Sequence, residues 1–182
     1  MNRNVESVPF RREFTMYQQI LVAVDGSEAS GRALDAALQL ARDSGAKLQP
    51  LFVVDVPLMS YDVPGYDPSY VRTALLEEGA QVIEDAVASM KRAGVEGTPR
   101  IAETDLAGDD IAHCILHAAS DFKADLVVMG THGRRGFQRL VLGSVAERFL
   151  RIAQCAVLMI SAHSAKPVAS DAHVAEPIRE PS

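Results

Sequence analysis

A loop rich in glycine and arginine follows an apolar run in the last third of the chain. Two residues separate Gly130 from Gly133, nine separate Gly133 from Gly143, and Ser144 comes directly after. Because glycine has no Cβ, a ligand can approach its main-chain N–H group closely where the backbone turns at a strand end. This spacing therefore suits a loop whose backbone N–H groups bind an anion.

The end of this loop adds positive potential. Gly143 and Ser144 open a predicted helix, and the free N–H groups and the dipole of a helix start favour an anion. Arg134 and Arg135 add mobile positive charge beside it. We therefore expect this loop to hold a polyphosphate. In the alternative interpretation, Ser144 and Glu147 form a capping box in which the serine caps its own helix, and the arginines are solvated loop charges.

Other nucleotide and metal motifs do not occur in the sequence. The chain has no GxxxxGK[ST] P-loop, and no GxGxxG fingerprint follows the first predicted strand. The turn Asp25-Gly26-Ser27 lacks the Ser-Gly-Gly run of pyrophosphate-releasing ATP ligases. Neither HExxH nor CxxC occurs. His113 and His117 share one face of a predicted helix, but without an evident third ligand we expect a surface pair rather than a metal site.

The composition is that of a soluble globular protein. Of the 182 residues, 48% are hydrophobic and 23% are charged, which argues against a disordered chain. The net charge of −6 disfavours general nucleic-acid binding. No apolar run is long enough to cross a membrane, and residues 1–14 lack the apolar core of a secretory signal. The two cysteines, Cys114 and Cys155, are too few for a disulfide framework, so a reducing, cytoplasmic compartment is expected.

Apolar runs and amphipathic stretches alternate along the chain. Five strands are predicted, at Ile20–Val24, Leu48–Val56, Arg100–Thr104, Asp125–Met129 and Ala156–Ile160. A helix follows each of the first four, with Ser27 capping the first and Asp109 or Asp110 capping the third. The order βαβαβαβαβ implies parallel pairing with right-handed crossovers. We therefore predict an α/β fold, an open, mostly parallel five-stranded sheet sandwiched by four helices.

This topology also predicts where a ligand binds. In open α/β sheets, ligands bind at the carboxyl ends of the strands, at the point where the strand order reverses. Two positions therefore matter most, Asp25 after the first strand and Gly130 after the fourth.

Three segments differ from the alternating pattern. Residues 1–15 are polar and of mixed charge, and are expected to be a flexible extension. Residues 163–182 carry several prolines among alanine, serine and charged residues, and are expected to be a disordered tail. One domain is expected over residues 16–162. Within it, Pro57–Pro68 is turn-rich and long for a simple connection, which is typical of a lid or a variable surface patch.

Several of these motifs occur together in one known family. The loop matches Gly-x2-Gly-x9-Gly-[Ser/Thr], and three further runs are typical, namely Ile20–Ser27, Leu126–Gly133 and Leu142–Glu147. On these residues the chain resembles the nucleotide-binding branch of the universal stress protein family, over roughly Tyr17 to Ser161. The resemblance implies a Rossmann-like fold of the adenine nucleotide alpha hydrolase type.

The resemblance implies ATP, with Mg²⁺, as the ligand, and it gives the matching positions roles. Asp25 would meet the ribose hydroxyls or order the metal and water around the phosphates, besides capping its own turn. Val53 would present main-chain groups and an apolar wall to adenine, although core packing is the expected role of its side chain. Met129 and Gly130 would line the ribose and the α-phosphate.

The phosphates would be bound by the glycine loop and the helix after it. The resemblance implies amides, and one hydroxyl, from Gly133, Gly143, Ser144 and Val145. His132 and Arg134 would make contacts at the rim. Phe52 stands where the family often has His, and Ala156 replaces a common Pro, but neither change removes a phosphate ligand. The Pro57–Pro68 segment does not match the family residue by residue.

The function implied by the resemblance is an ATP-binding regulatory module of the stress response, which acts through nucleotide-dependent conformation and protein partners. A phosphohydrolase or nucleotidyl-transfer enzyme would need an acid–base pair, and Asp25 and His132 are the only candidates near the predicted site. We therefore expect at most slow ATP hydrolysis. A nucleotide-free interaction protein of the family's other branch is a further alternative, against which the intact glycine pattern argues.

The last predicted strand bears on assembly. Ala156–Ile160 is short and apolar, and an edge strand of this kind risks aggregation unless it is paired. The resemblance implies antiparallel pairing of this strand across a two-fold axis. We therefore expect a homodimer with isologous contacts, and neither nucleic acid nor a membrane as a partner.

Overall fold

The computed structural model describes residues 16–56, 68–104, 110–133 and 142–161. Nine elements alternate along this part of the chain: β1 (Gln19–Ala23), α1 (Glu28–Ser44), β2 (Lys47–Val54), α2 (Pro68–Ala93), β3 (Arg100–Glu103), α3 (Ile111–Phe122), β4 (Leu126–Gly130), α4 (Ser144–Ile152) and β5 (Ala156–Ile160). The predicted order of strands and helices is confirmed. The expectations for residues 1–15, the Pro57–Pro68 loop and residues 163–182 concern segments that lie outside the described residues, except that α2 already begins at Pro68.

The strands form one sheet in the order β3-β2-β1-β4-β5, and each pairing is parallel. From β1 the chain adds β2 and β3 on one side, then returns to add β4 and β5 on the other. The reversal therefore lies between β1 and β4, where Val22 is level with Val128. The predicted open parallel sheet is confirmed, and its switch point is the carboxyl end of these two strands.

The helices cover both faces of the sheet. Alternate residues of β1 point to opposite cores, so Ile20 packs with α1 and the end of α2, whereas Leu21 packs with α3 and α4. Both side chains are fully buried. Burial on both faces explains why β1 and β4 are continuous apolar runs rather than alternating ones.

Two helix starts carry the side-chain caps that their sequences predict. The Ser27 hydroxyl accepts a hydrogen bond from the Ser30 N–H at 3.2 Å. Of the two candidates at α3, Asp110 is the N-cap, and its carboxylate accepts from the His113 N–H at 3.0 Å. These caps fix where α1 and α3 leave the sheet.

Helix α2 lies close over β2 because one of its inner positions has no side chain. A Cβ at Gly79 would come within 2.6 Å of the Phe52 ring, which is itself buried. The large ring at position 52 therefore depends on a glycine at position 79. No helix in the described part of the chain is both long and apolar enough to cross a membrane.

Candidate functional site

The turn after β1 meets the turn after β4 at the switch point. Asp25 lies two residues beyond the end of β1, and a Cβ built on Gly133 would lie only 2.8 Å from its Oδ2 atom. Gly133 is exposed to solvent. The fold therefore brings together two of the residues that the sequence singles out, although they are far apart along the chain.

Asp25 is oriented by its own turn. The Ser27 N–H donates to Asp25 Oδ1 at 3.0 Å, and the Asp25 N–H donates to the Ser30 hydroxyl at 3.3 Å. That hydroxyl in turn donates to the Ser27 carbonyl at 3.0 Å. The carboxylate thus caps the turn into α1 with one oxygen while the other faces Gly133, so both roles considered for Asp25 are compatible.

Gly130 permits a close approach between β4 and α1. A Cβ at this position would lie 2.9 Å from the Ala29 Cβ and 3.0 Å from the His132 carbonyl oxygen. Any other residue would push the start of the loop away from the first turn of α1. Gly130 therefore determines the position of the loop.

The main chain of Thr131 joins the loop to two other elements. Its N–H donates to the Ile160 carbonyl at the end of β5 at 2.8 Å, and its carbonyl accepts from the Gly143 N–H at 2.8 Å. The second bond corrects the amide contact that the resemblance implied for Gly143, because that N–H is already used within the chain. A Cβ at Gly143 would lie 3.2 Å from the Thr131 oxygen, so Gly143 holds the start of α4 close to β4.

The start of α4 has no side-chain cap. Its N-cap is Gly143, in an extended conformation and without a side-chain hydrogen bond to the first turn. The capping-box interpretation is therefore wrong, since Ser144 is the first helical residue and not the N-cap. The Glu147 carboxylate instead accepts from Arg151 at 2.6 Å. Unlike α1 and α3, this helix has no N-cap side chain that accepts from the N–H groups of its first turn.

His132 carries an unusual polar atom at this site. Its Nδ1 lies 2.9 Å from the Thr131 hydroxyl, whereas its Nε2 is buried and has no hydrogen-bond partner among the residues that the structure describes. A buried polar atom without a partner costs about 1–3 kcal/mol. Such atoms are rare in native proteins and are frequent at functional sites. Nε2 is therefore suited to a ligand that supplies the missing hydrogen bond.

Val53 and Met129 contribute their backbones rather than their side chains to this edge. Val53 is half-buried and pairs with Ala102 of β3, and its side chain packs in the core under α3 and α4. Met129 is buried in the same core. Of the remaining predicted residues, Ser144 is exposed and Val145 is half-buried at the start of α4, and Arg134 lies outside the described residues.

An ion pair that the sequence did not reveal connects α4 with α3. Arg148 donates to Asp110 Oδ2 at 2.6 Å, and the His113 ring nitrogen Nδ1 lies 3.0 Å from Oδ1. Burial raises the pKa of Asp110, but the hydrogen bonds from His113 and the Arg148 charge outweigh it, so the pKa lies below its ordinary value. Arg148 stands one turn after Ser144, so this ion pair helps to orient the start of α4.

Metal ligation by side chains alone finds no support here. The described residues contain no group of three His, Cys, Asp or Glu side chains placed to hold a metal ion. A cation at this edge would therefore draw most of its ligands from a bound molecule and from water, with the Asp25 carboxylate beside Gly133.

A parallel sheet with an acidic turn, a glycine loop and an uncapped helix start at its switch point defines a doubly wound α/β protein with a Rossmann-like ligand edge. Comparison with known proteins then identifies the family. The sequence model of the Universal stress protein family matches residues 16–161, and the chain belongs to that family.

Individual relatives agree with this assignment. Universal stress protein YxiE of Bacillus subtilis is 32% identical over 152 residues, which cover 80% of this chain and 99% of that protein. The crystal structure of a universal stress protein family member from Burkholderia pseudomallei is 49% identical, with a TM-score of 0.67, and the match covers 80% of this chain and 96% of that one.

Two further similar structures contain nucleotides. One is a universal stress protein in complex with cAMP, 28% identical with a TM-score of 0.55, where the match covers 80% of this chain and 98% of that one. The other is a universal stress protein of Archaeoglobus fulgidus in complex with dAMP, 25% identical with a TM-score of 0.56, covering 79% and 98% of the two chains.

Proposed function

We propose that this chain binds ATP, together with Mg²⁺, at the carboxyl ends of β1 and β4, and acts as a regulatory module of the stress response. The observation that carries the proposal is the position of the Asp25 carboxylate against Gly133, beside the uncapped start of α4. A nucleoside phosphate fits this arrangement, because its phosphates suit the helix start and its ribose hydroxyls can donate to the carboxylate. The cAMP and dAMP complexes of similar family members support an adenine nucleotide as the ligand.

The phosphates bind to the loop and the helix after it. The first-turn N–H groups at Ser144 and Val145 and the Ser144 hydroxyl are suited to phosphate oxygens, because Gly143 provides no side-chain cap. Gly133 adds a backbone N–H at an exposed position. His132 supplies Nε2, which has no partner among the described residues, and the positive charge of Arg134 adds to the attraction for phosphate.

The nucleoside lies on the other side of Asp25. The carboxylate binds the ribose hydroxyls or a water of the Mg²⁺ shell, and the metal takes its remaining ligands from phosphate and water. The backbones of Met129 and Gly130 line the ribose, and the backbone of Val53 meets the adenine. The side chains of Val53 and Met129 pack in the core, and Gly130, which has no side chain, lies close against Ala29 of α1, so this wall presents mainly backbone.

A binding role, rather than fast catalysis, fits the hydrogen bonds of the two titratable side chains. Asp25 Oδ1 already accepts from the Ser27 N–H, and His132 Nδ1 is engaged with the Thr131 hydroxyl. Both groups are held in place by their neighbours, which suits the orientation of a ligand. We therefore propose at most slow hydrolysis, with nucleotide-dependent contacts to protein partners as the main activity.

The unpaired edge of β5 supports a homodimer. Within the described residues β5 pairs with β4 alone, and its apolar side chains are partly exposed. We propose that Ala156–Ile160 pairs antiparallel with the same strand of a second copy. We also propose a cytoplasmic location, in keeping with Cys114 and Cys155, which do not form a disulfide with each other.

The test releases bound small molecules from the purified protein with acid and identifies them by chromatography. Wild type is expected to yield adenine nucleotide, and Gly133→Val is expected to yield none, because its Cβ would lie only 2.8 Å from Asp25 Oδ2 and its methyl groups would crowd the proposed site. The matched control is Gly31→Ala, since a Cβ there meets nothing within 4 Å. Absence of nucleotide from wild type, together with no calorimetric binding of added Mg-ATP, would overturn the proposal.

A further inference from the structure

A second carboxylate lies on the same face of the sheet as Asp25. Leu51 and Val53 both pack in the core under α3 and α4, so strand alternation directs the next odd-numbered residue, Asp55, to that face. The pairing of β2 with β3 continues past its last strand residue, because the Thr104 N–H donates to the Val54 carbonyl at 3.0 Å. Asp55 is exposed at the carboxyl edge of the sheet.

Thr104 fixes the orientation of this carboxylate. Its hydroxyl donates to Asp55 Oδ1 at 3.1 Å, and Ala102, two residues earlier, packs in the same core as Val53. Thr104 and Asp55 are thus neighbours across two strands on one face of the sheet. Asp55 Oδ1 therefore accepts a hydrogen bond within the chain, and this bond also limits the orientations that Oδ2 can take.

The position of Asp55 fits the outer edge of a bound base. Ala23 is level with Leu51, and the Val24 N–H donates to the Leu51 carbonyl. Extending this register places Asp25 near the level of Val53, with Asp55 one strand over and two residues further on. With strands about 4.8 Å apart and a rise of about 3.3 Å per residue, the backbones of Asp25 and Asp55 are separated by about 8 Å. Gly133 and α4 lie on the opposite side of Asp25, toward β4. A nucleotide with its phosphates there and its ribose at Asp25 therefore extends its base over Val53 toward Asp55.

We propose that Asp55 accepts a hydrogen bond from the 6-amino group of the purine and makes this site selective for 6-aminopurine over 6-oxopurine nucleotides, an inference that rests on the proposed nucleotide site. A carboxylate only accepts hydrogen bonds. The exocyclic amino group of adenine donates one, whereas the 6-oxo group of hypoxanthine or guanine places an acceptor at the same point. Thr104 acts as a positioning residue for this contact.

The experiment measures the ratio of the dissociation constants of Mg-ITP and Mg-ATP by calorimetry. The two nucleotides share ribose and phosphates and differ in the base, at the 6-substituent and in the hydrogen on N1. The change in the ratio when Asp55 is substituted, rather than the wild-type ratio alone, therefore measures the proposed contact. Wild type is expected to bind ATP about tenfold more tightly than ITP, the size of one hydrogen bond to a charged group. Asp55→Asn, whose amide also donates, is expected to bring the ratio close to one, and Asp55→Ala to reduce it.

Two further variants separate selectivity from stability. Thr104→Val keeps the shape of the side chain but removes the hydroxyl, and is expected to lower the ratio in part. Asp43→Asn alters an exposed carboxylate in the last turn of α1 and is expected to leave the ratio unchanged.

The outcomes distinguish this inference from the function on which it rests. If wild type binds ATP and Gly133→Val does not, but both Asp55 variants keep the wild-type ratio, the role of Asp55 is overturned while the nucleotide site stands. If wild type binds neither nucleotide, the site and the inference fall together.

Discussion

The two oxygens of the Asp25 carboxylate have different surroundings. One oxygen accepts from the Ser27 N–H, and the other faces the bare Cα of Gly133. The sequence indicates both residues, because an acidic turn after a strand and a glycine after a strand are local features. It does not reveal the buried, unpaired Nε2 of His132, since burial depends on residues that the fold brings from elsewhere.

The ion pairs of Asp110 predict how the free energy of unfolding depends on pH. Its lowered pKa means that the ionised carboxylate stabilises the fold above the ordinary value of 3.8, and that this contribution is lost as the pH falls through the lowered value. We expect Asp110→Asn, which still caps α3, to reduce the free energy of unfolding at about pH 6 and to differ less from wild type at about pH 2. Urea unfolding across this pH range measures both values.

Arg148→Met provides the control for this prediction. Because the Arg148 charge contributes to the lowered pKa, its removal is expected to weaken the dependence of stability on pH between those two conditions. An equal deficit of Asp110→Asn at both pH values would contradict the argument.

Strands and helices can be predicted from the sequence where the signal for each lies within a few neighbouring residues. Continuous apolar runs predict β1 and β4, and the serine and aspartate caps predict α1 and α3, since each signal lies within a few residues. The start of α4 is different. Ser144 and Glu147 have the spacing of a capping box, but the bond from the Gly143 N–H to Thr131 fixes the N-cap one residue earlier. A long-range backbone bond outweighs the local motif.

The contact between α2 and β2 allows a sharp test of packing. Alanine normally favours a helix interior over glycine, but at Gly79 its Cβ would press on the buried Phe52 ring. We expect Gly79→Ala to destabilise the protein by about 1–3 kcal/mol. Gly31→Ala, on the open side of α1, is expected to stabilise it by about 0.5–1 kcal/mol. Urea unfolding measures the free energy of unfolding of both variants and of wild type. A Gly79→Ala protein at least as stable as wild type would refute the packing argument.

Assembly can be tested at the free edge of β5. Because the Ile160 carbonyl accepts from Thr131 of the β4 side, the alternate residues Val157 and Met159 direct their backbone groups away from β4. Met159→Pro removes one of these outward N–H groups, so we expect it to convert a dimer into a monomer with an unchanged circular dichroism spectrum.

Light scattering at about micromolar concentration distinguishes the two states. Met159→Ala keeps the N–H group and is expected to remain dimeric. A monomeric wild type, or a dimeric Met159→Pro protein, would argue against pairing through this strand.

The whole molecule is predictable in outline because strands and helices alternate strictly. That alternation implies a parallel sheet with right-handed crossovers, and the order β3-β2-β1-β4-β5 is one of the few arrangements that satisfies it. The backbone bonds of Thr131 and the ion pair between Arg148 and Asp110 were not predictable, because each joins elements that are distant in sequence. The sequence thus indicates the edge of the sheet at which we propose the site, and the fold determines which backbone groups there are already hydrogen-bonded within the chain.

The placement of Asp25 and Gly133 on neighbouring turns has a consequence for protein synthesis. A growing chain on the ribosome makes Asp25 early, but the Gly133 side of the proposed site does not form until Gly133 has emerged and β4 has paired with β1. Any occupant therefore stabilises only chains whose two halves have already joined. Binding at the proposed site therefore requires that β4 has folded onto β1, and a truncated chain that ends before Gly133 would not bind.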